Sequence, residues 1–142
     1  MIEESMAERK AFDLLQRVSC VQVTTVDFDG FPVTKAFLPP LETEGMETLW
    51  FSTNTSSRKV SRIALNPRAC VYAFDAVTFE GLSLIGTMKS FEDAELKSRF
   101  WREGFELYYP RGLDDPDYTV LRFVGSRAFF YDDLQETSWE IN

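Results

Sequence analysis

Seven consecutive residues, Thr53-Asn54-Thr55-Ser56-Ser57-Arg58-Lys59, collect the hydroxyls and cations that hold a phosphate. They lead from the end of a strand-like run into the first turn of a helix-like one. Free backbone N–H groups and the positive end of the helix dipole converge at such a junction, and both favour an anion. Thr53, Ser56 and Ser57 can add donors, and Arg58 can meet two phosphate oxygens at once. Without an anion, cations at positions 58 and 59 oppose the dipole by roughly 0.3–1 kcal/mol each. The charge distribution points the same way. Residues 48–74 contain no Asp or Glu yet carry Arg58, Lys59, Arg62 and Arg68, while all 23 acids lie elsewhere. A cationic island in an acidic chain fits a small anion rather than a polyanion. The competing reading is that Thr55 or Ser56 simply caps the helix while Arg58 and Lys59 point into solvent. Spacing alone does not separate the two, and the acid-free window favours a ligand.

Other chemistry is restricted by what is missing. There is no histidine, which excludes Ser-His-Asp and Cys-His machinery and an HExxH zinc site. Cys20 and Cys70 lie in separate strand-like runs and read as reduced, small core hydrophobes. Asp114-Asp115-x-Asp117 lacks the spacing of a calcium loop and reads as a solvated loop anchored by Pro116, so no metal is expected. Trp50, Phe51, Trp101 and the Tyr108-Tyr109 pair could stack on a ring, although core or interface roles also account for each. Lys35, on an otherwise apolar and hydroxylic strand, is either an edge charge that discourages aggregation or a second reach toward the same anion. No GxGxxG or GxxxxGK[ST] run occurs, so Rossmann and P-loop readings fail.

The elements that position these residues follow from patterning. The 142 residues make one domain, 1–142, large enough for its own core. A net charge of −8 repels nucleic acid. With 13 Phe, 5 Tyr and 3 Trp, the chain suits a β-rich core with aromatic surface left for a ligand or a second subunit. No run approaches the roughly 18 apolar residues of a membrane span, and the charged stretch Met1–Arg17 is no secretory signal. The chain therefore reads as soluble and cytoplasmic. Helical spacing is expected over 3–18, 57–65 and from a capping box at Ser90–Asp93 to about Glu103. Strands are expected over 20–26, 33–38, 48–53, 68–74 and 78–89, with a last pair at 118–124 and 127–131. An acidic turn fills 41–47, an irregular loop fills 105–117, and a polar acidic tail runs to Asn142. Six or seven strands at hairpin spacing with helical covers give a mostly β, antiparallel barrel.

The stretch LWFSTNTSSRKVSRIALNP (Leu49 to Pro67) resembles the central motif of the pyridoxamine-phosphate-oxidase-like, FMN-binding split barrels. A strand ending in Phe-x-Thr-Asn, a Ser-Arg-Lys helix start and a closing Asn-Pro are met by Phe51, Thr53, Asn54, Ser57, Arg58, Lys59, Asn66 and Pro67. The likeness extends from the leading helix and the Gly30-x-Pro32 hairpin to Trp101–Phe123, which is similar to the general stress protein branch. It implies a six-stranded split barrel, a homodimer burying more than roughly 1,200 Å², and FMN held in the groove between subunits. By position it implies Ser57, Arg58, Lys59 and Lys35 at the phosphate, with Ala36, Phe37, Leu38, Ser52 and Thr53 along the flavin. Two departures qualify this. Lys35 stands where relatives usually carry Arg and cannot make the bidentate contact. The Arg-x-His substrate motif of true pyridoxamine-phosphate oxidases is missing, as is the histidine of nitroimidazole-reductase-like relatives, so oxidation of a vitamin B6 phosphate is not expected. The resemblance implies a flavin-dependent oxidoreductase of unknown substrate. The alternatives are a non-catalytic flavin-binding or flavin-sensing module, and a dimeric barrel for another ligand such as deazaflavin or haem.

Overall fold

The β-branched run VQVTTV buries every second side chain and forms β1 (Val21–Val26). It belongs to a computed structural model describing residues 4–141, so Glu3 of the expected first helix and Asn142 of the tail lie outside the described residues. The Asp27–Phe31 turn returns the chain as β2 (Pro32–Phe37), in register Val21 with Phe37. Then follow β3 (Glu42–Glu44), β4 (Thr48–Asn54), β5 (Arg68–Phe74), β6 (Gly81–Phe91), β7 (Tyr118–Asp132) and β8 (Gln135–Glu140). The order is β2-β1-β5-β6-β7-β4-β3, with β8 beside β7 and antiparallel pairing throughout. Three helices cover the sheet: α1 (Glu4–Arg17), α2 (Arg58–Leu65) and α3 (Ala94–Phe100).

Two long strands bend the sheet on itself. The β6–β7 register shifts between Ile85 and Gly86. A Cβ at Gly86 would lie 2.0 Å from the Val124 carbonyl oxygen, so only glycine fits this approach. Beyond the bend, β7 pairs β4 through Tyr118–Val124 and β8 through Arg127–Asp132. The sheet curls without closing: among the described residues β2 and β4 share no ladder. Phe37 and Phe51 instead meet edge to face across the gap, ring centroids 5.3 Å apart. This is a split barrel.

Two cores hold it. Ala7, Ala11, Leu14 and Leu15 of α1 pack on the barrel interior with Val21, Leu49, Leu84, Phe123 and Phe130. Each fully buried Leu or Phe contributes roughly 1.5–3 kcal/mol. Outside the barrel, Trp50, Phe100, Phe105, Tyr109, Tyr118 and Val120 form an aromatic cluster beneath α3.

Several expectations are corrected. The capping box does not form, because Ser90 and Phe91 stay in β6, paired with Leu121 and Val120. Ladder pairing and the packing of Phe91 on Trp50 outweigh the local signal, and the helix runs only from Ala94 to Phe100. The strands expected at 118–124 and 127–131 are one, since Gly125-Ser126 is a bend and not a turn. The acidic tail forms β8 and buries Trp139. The acidic turn contains β3, and with β8 this raises the strand number to eight among the described residues. Strand β6 begins at Gly81 rather than residue 78. Cys20 is exposed and Cys70 half-buried, so neither is a core residue.

Candidate functional site

Where β2 and β4 part, the gap opens into a cleft of about 300 Å³. Ala36–Pro39 lines one side and Phe51–Asn54 another, while Phe105, Tyr108 and Tyr109 enter from the loop after α3. Lys59 enters from the first turn of α2. That turn exists because Ser57 caps it, its hydroxyl accepting the Lys59 N–H at 3.2 Å, and because Asn66-Pro67 stops the helix two turns later.

Lys59 is electrostatically unusual. Its Nζ donates to Thr53 Oγ1 at 3.1 Å and stands 5.1 Å from the Phe37 ring centroid. Among the described residues it has no carboxylate partner. Burial, and then the nearby charges of Lys35 and Arg62, push its pKa down. A half-buried ammonium without a carboxylate partner, facing an apolar cleft, attracts a negative group.

The loop before α2 is tied down from β7. Asp117 accepts the Asn54 amide at Oδ2 and the Ser56 N–H at Oδ1, each at 2.7 Å. Its carbonyl takes the Thr55 N–H, and the Thr55 and Thr119 hydroxyls bond to each other. The Ser56 N–H and then the Asn54 amide hold the Asp117 carboxyl below its usual range. Asp115 is buried, accepts the Arg111 and Asp117 N–H groups, and is lowered by them. The 114–117 segment is therefore a latch and not a solvated loop. It also occupies the Thr55 and Ser56 amides, so the cleft offers an anion side chains more than an open amide cradle.

The aromatic wall is similarly anchored. Tyr109 stacks near Tyr118 at 4.8 Å; burial raises its hydroxyl pKa, and a hydrogen bond with Ser52 partly offsets this. Burial, followed by Tyr109, pushes Tyr118 up to about 12, and its hydroxyl donates to the Lys97 carbonyl at 2.7 Å. Tyr108, 57% exposed, leaves its ring free at the cleft.

Of the residues singled out from sequence, Ala36, Phe37, Leu38, Ser52, Thr53 and Lys59 line this cleft. Lys35 is exposed on β2 and acts on Lys59 through its charge. Ser57 serves as the cap, and Arg58 is exposed outside the lining, its charge acting on Asp27. Asn54, from the Thr53–Lys59 run, and Phe51, Tyr108 and Tyr109, named as rings able to stack, also line the cleft, whereas Pro39, Leu41 and Phe105 are lining residues that the sequence did not single out. The Tyr108-Tyr109 pair sets an exposed and a buried ring side by side, a division that composition does not reveal.

An unpaired lysine stands at an apolar, aromatic-walled cleft in the mouth of a split barrel. The chain belongs to the pyridoxamine 5'-phosphate oxidase family, whose model matches residues 7–132. It is similar to a Clostridium acetobutylicum protein related to general stress protein 26 of B. subtilis, of the pyridoxinephosphate oxidase family. That protein is 36% identical over 99% of this chain and 97% of its own, with a TM-score of 0.88. An FMN-binding, pyridoxamine 5'-phosphate oxidase-related protein from Nostoc punctiforme is 15% identical over 100% and 98% of the two chains, TM-score 0.64. A haem-binding protein from Mycobacterium smegmatis is 16% identical over 99% of this chain and 60% of its own, TM-score 0.76. The latter two share the fold. No curated protein matches the sequence. Among the described residues no helix is long and apolar enough to cross a membrane.

Proposed function

We propose that this protein binds FMN in the β2–β4 cleft, as a homodimer, and acts as a flavin-dependent oxidoreductase. The observation that carries the reading is Lys59, whose unpaired ammonium stands at the edge of a cleft with apolar and aromatic walls. Its charge fits the FMN phosphate, with Lys35, Ser57 and Arg58 as the surrounding cationic and hydroxyl groups. Ala36–Leu38, Ser52 and Thr53 fit along the ring system, and Tyr108 can cover it. The cleft volume lies at the small end of roughly 300–1,000 Å³ ligand sites, as suits a groove completed by a second subunit. Bound flavin supplies the redox chemistry. The chain binds and orients: the lining contains no carboxylate or imidazole, so beside Lys59 only Ser52, Thr53, Tyr108 and Tyr109 hydroxyls can hold a proton at the ring.

Absorbance of the purified protein, with mass analysis of whatever heat releases from it, tests the reading. A flavin spectrum and released FMN are expected. A Soret band would favour haem, for which Tyr108 and Tyr109 are the only lining residues of axial-ligand type. Light scattering is expected to give twice the 16.4 kDa chain mass. Reduction of the bound flavin by NADH or NADPH, followed by turnover with an acceptor, separates an oxidoreductase from a binding module.

A further inference from the structure

A second group of unmatched cations lies outside the barrel, away from the cleft. Glu42, Trp50, Arg122 and Lys89 form one cross-strand row over β3, β4, β7 and β6, so Arg122 and Lys89 stand directly opposite each other. Like charges so placed destabilise a ladder, yet the chain carries 23 acids that could have relieved them. At the other end of the row the cations are matched, since Glu42 meets Arg99 at 2.9 Å and Arg102 at 3.5 Å. Neither Lys89 nor Arg122 has a carboxylate partner among the described residues. Both are nevertheless held in place. Lys89 Nζ stands 5.1 Å and the Arg122 guanidinium carbon 4.9 Å from the centroid of the Phe91 ring. The same guanidinium is 6.0 Å from the Trp50 ring, which Arg99 approaches to 5.6 Å. Arg122 Nε is buried and, among the described residues, has no hydrogen-bond partner. Three cations thus gather over two aromatic rings, and the one carboxylate paired to any of them is Glu42. Lys89 and Arg122 do not line the β2–β4 cleft.

We propose that Lys89 and Arg122 bind a phosphate group, free or as the monoester of a small metabolite, at a site separate from the cleft. Two adjacent cations suit a group with nearly two negative charges at neutral pH, and its several oxygens can meet the guanidinium fork and the ammonium together. A single carboxylate would balance only one of the two. A polyanion would be repelled by the chain's net charge of −8, which a small ligand meets only locally. The aromatic floor contributes by fixing both side chains before the ligand arrives, which lowers the entropy lost on binding. A bound phosphate also offsets the repulsion across the ladder.

Proton–nitrogen NMR of the intact protein tests this through the Arg122 Nε–H, whose burial shields it from water. Inorganic phosphate or glycerol 3-phosphate replaces chloride at constant ionic strength, in wild type and in Lys59→Met, where the cleft has lost its cation. A saturable shift of the Arg122 signal is expected in both proteins, half-complete at roughly 1 mM or below. Lys89→Gln is expected to weaken it by about five- to tenfold. This variant also relieves the ladder, so without ligand it should melt no lower than wild type, while phosphate should raise the melting temperature of wild type more than that of the variant. Tighter binding of the ester marks a metabolite as the ligand, and equal or weaker binding marks inorganic phosphate; either upholds the site. No saturable shift up to about 20 mM phosphate, or equal affinity in Lys89→Gln, overturns the proposal. So does loss of the shift in Lys59→Met, which would put the phosphate in the cleft.

Discussion

The two turns of α2 treat their cations in opposite ways. Arg62 is 7% exposed, and its Nε meets the Asp27 carboxylate at 3.2 Å. Lys59, one turn earlier, faces a cleft with a hydroxyl and a ring but no acid. The sequence pattern around them is identical in kind, since both lie in the acid-free window. What differs is what the fold brings opposite: the β1–β2 turn delivers Asp27 to Arg62, whereas the split between β2 and β4 leaves Lys59 unmatched. A cation with its own acid builds the protein; one without is available to a ligand.

The difference can be broken most forcefully by charge reversal. Lys59→Glu is expected to abolish FMN retention through purification, read as loss of flavin absorbance, because repulsion replaces a charge-assisted contact of roughly 1.5–3 kcal/mol. Arg62→Met should do the reverse, lowering thermal stability by about 1–3 kcal/mol while FMN affinity, measured in the folded protein, changes little. A large affinity loss in Arg62→Met with unchanged stability would erase the distinction.

The latch gives a pH-dependent version of the same contrast. Hydrogen bonds to Asp117 in the folded protein hold its pKa below the unfolded value. Its stabilising contribution is therefore present above the unfolded carboxylate pKa and lost as pH falls through the folded one. Asp117→Asn is expected to melt lower than wild type at neutral pH, with the gap narrowing in acid. A gap that widens in acid would refute the assignment. Smallest is Arg58→Ala: an exposed cation outside the lining should weaken FMN by only about two- to fivefold.

Much of this architecture was legible beforehand, for particular reasons. Alternation over 21–26, the Asp27–Gly30 turn signals and the stop at Asn66-Pro67 are local features, and the local chain obeys them. The failures occurred where distant partners decided. Gly125-Ser126 reads as a turn until Gly86 is seen opposite it, and Ser90–Asp93 reads as a cap until Leu121 and Val120 claim the strand. Strand β8 carries mostly polar residues and is held by its ladder and by Trp139 alone among its buried side chains. At the cleft, Lys59 and Thr53 were visible as chemistry. The Tyr108–Tyr109 pair was visible only as rings able to stack, and the Asp117 latch was not visible at all, because its partners Asn54 and Ser56 lie 63 and 61 residues away and meet it only through the β4–β7 pairing.

The central claim, that Lys59 is kept unpaired for a phosphate, is tested most directly by titrating FMN and riboflavin into wild type and Lys59→Met. Met keeps the bulk of the side chain and removes only the charge. FMN affinity should fall by about tenfold to a hundredfold in the variant while riboflavin affinity stays the same, and the ligand-free variant should melt no lower than wild type. Equal FMN affinity in the two proteins would contradict the account.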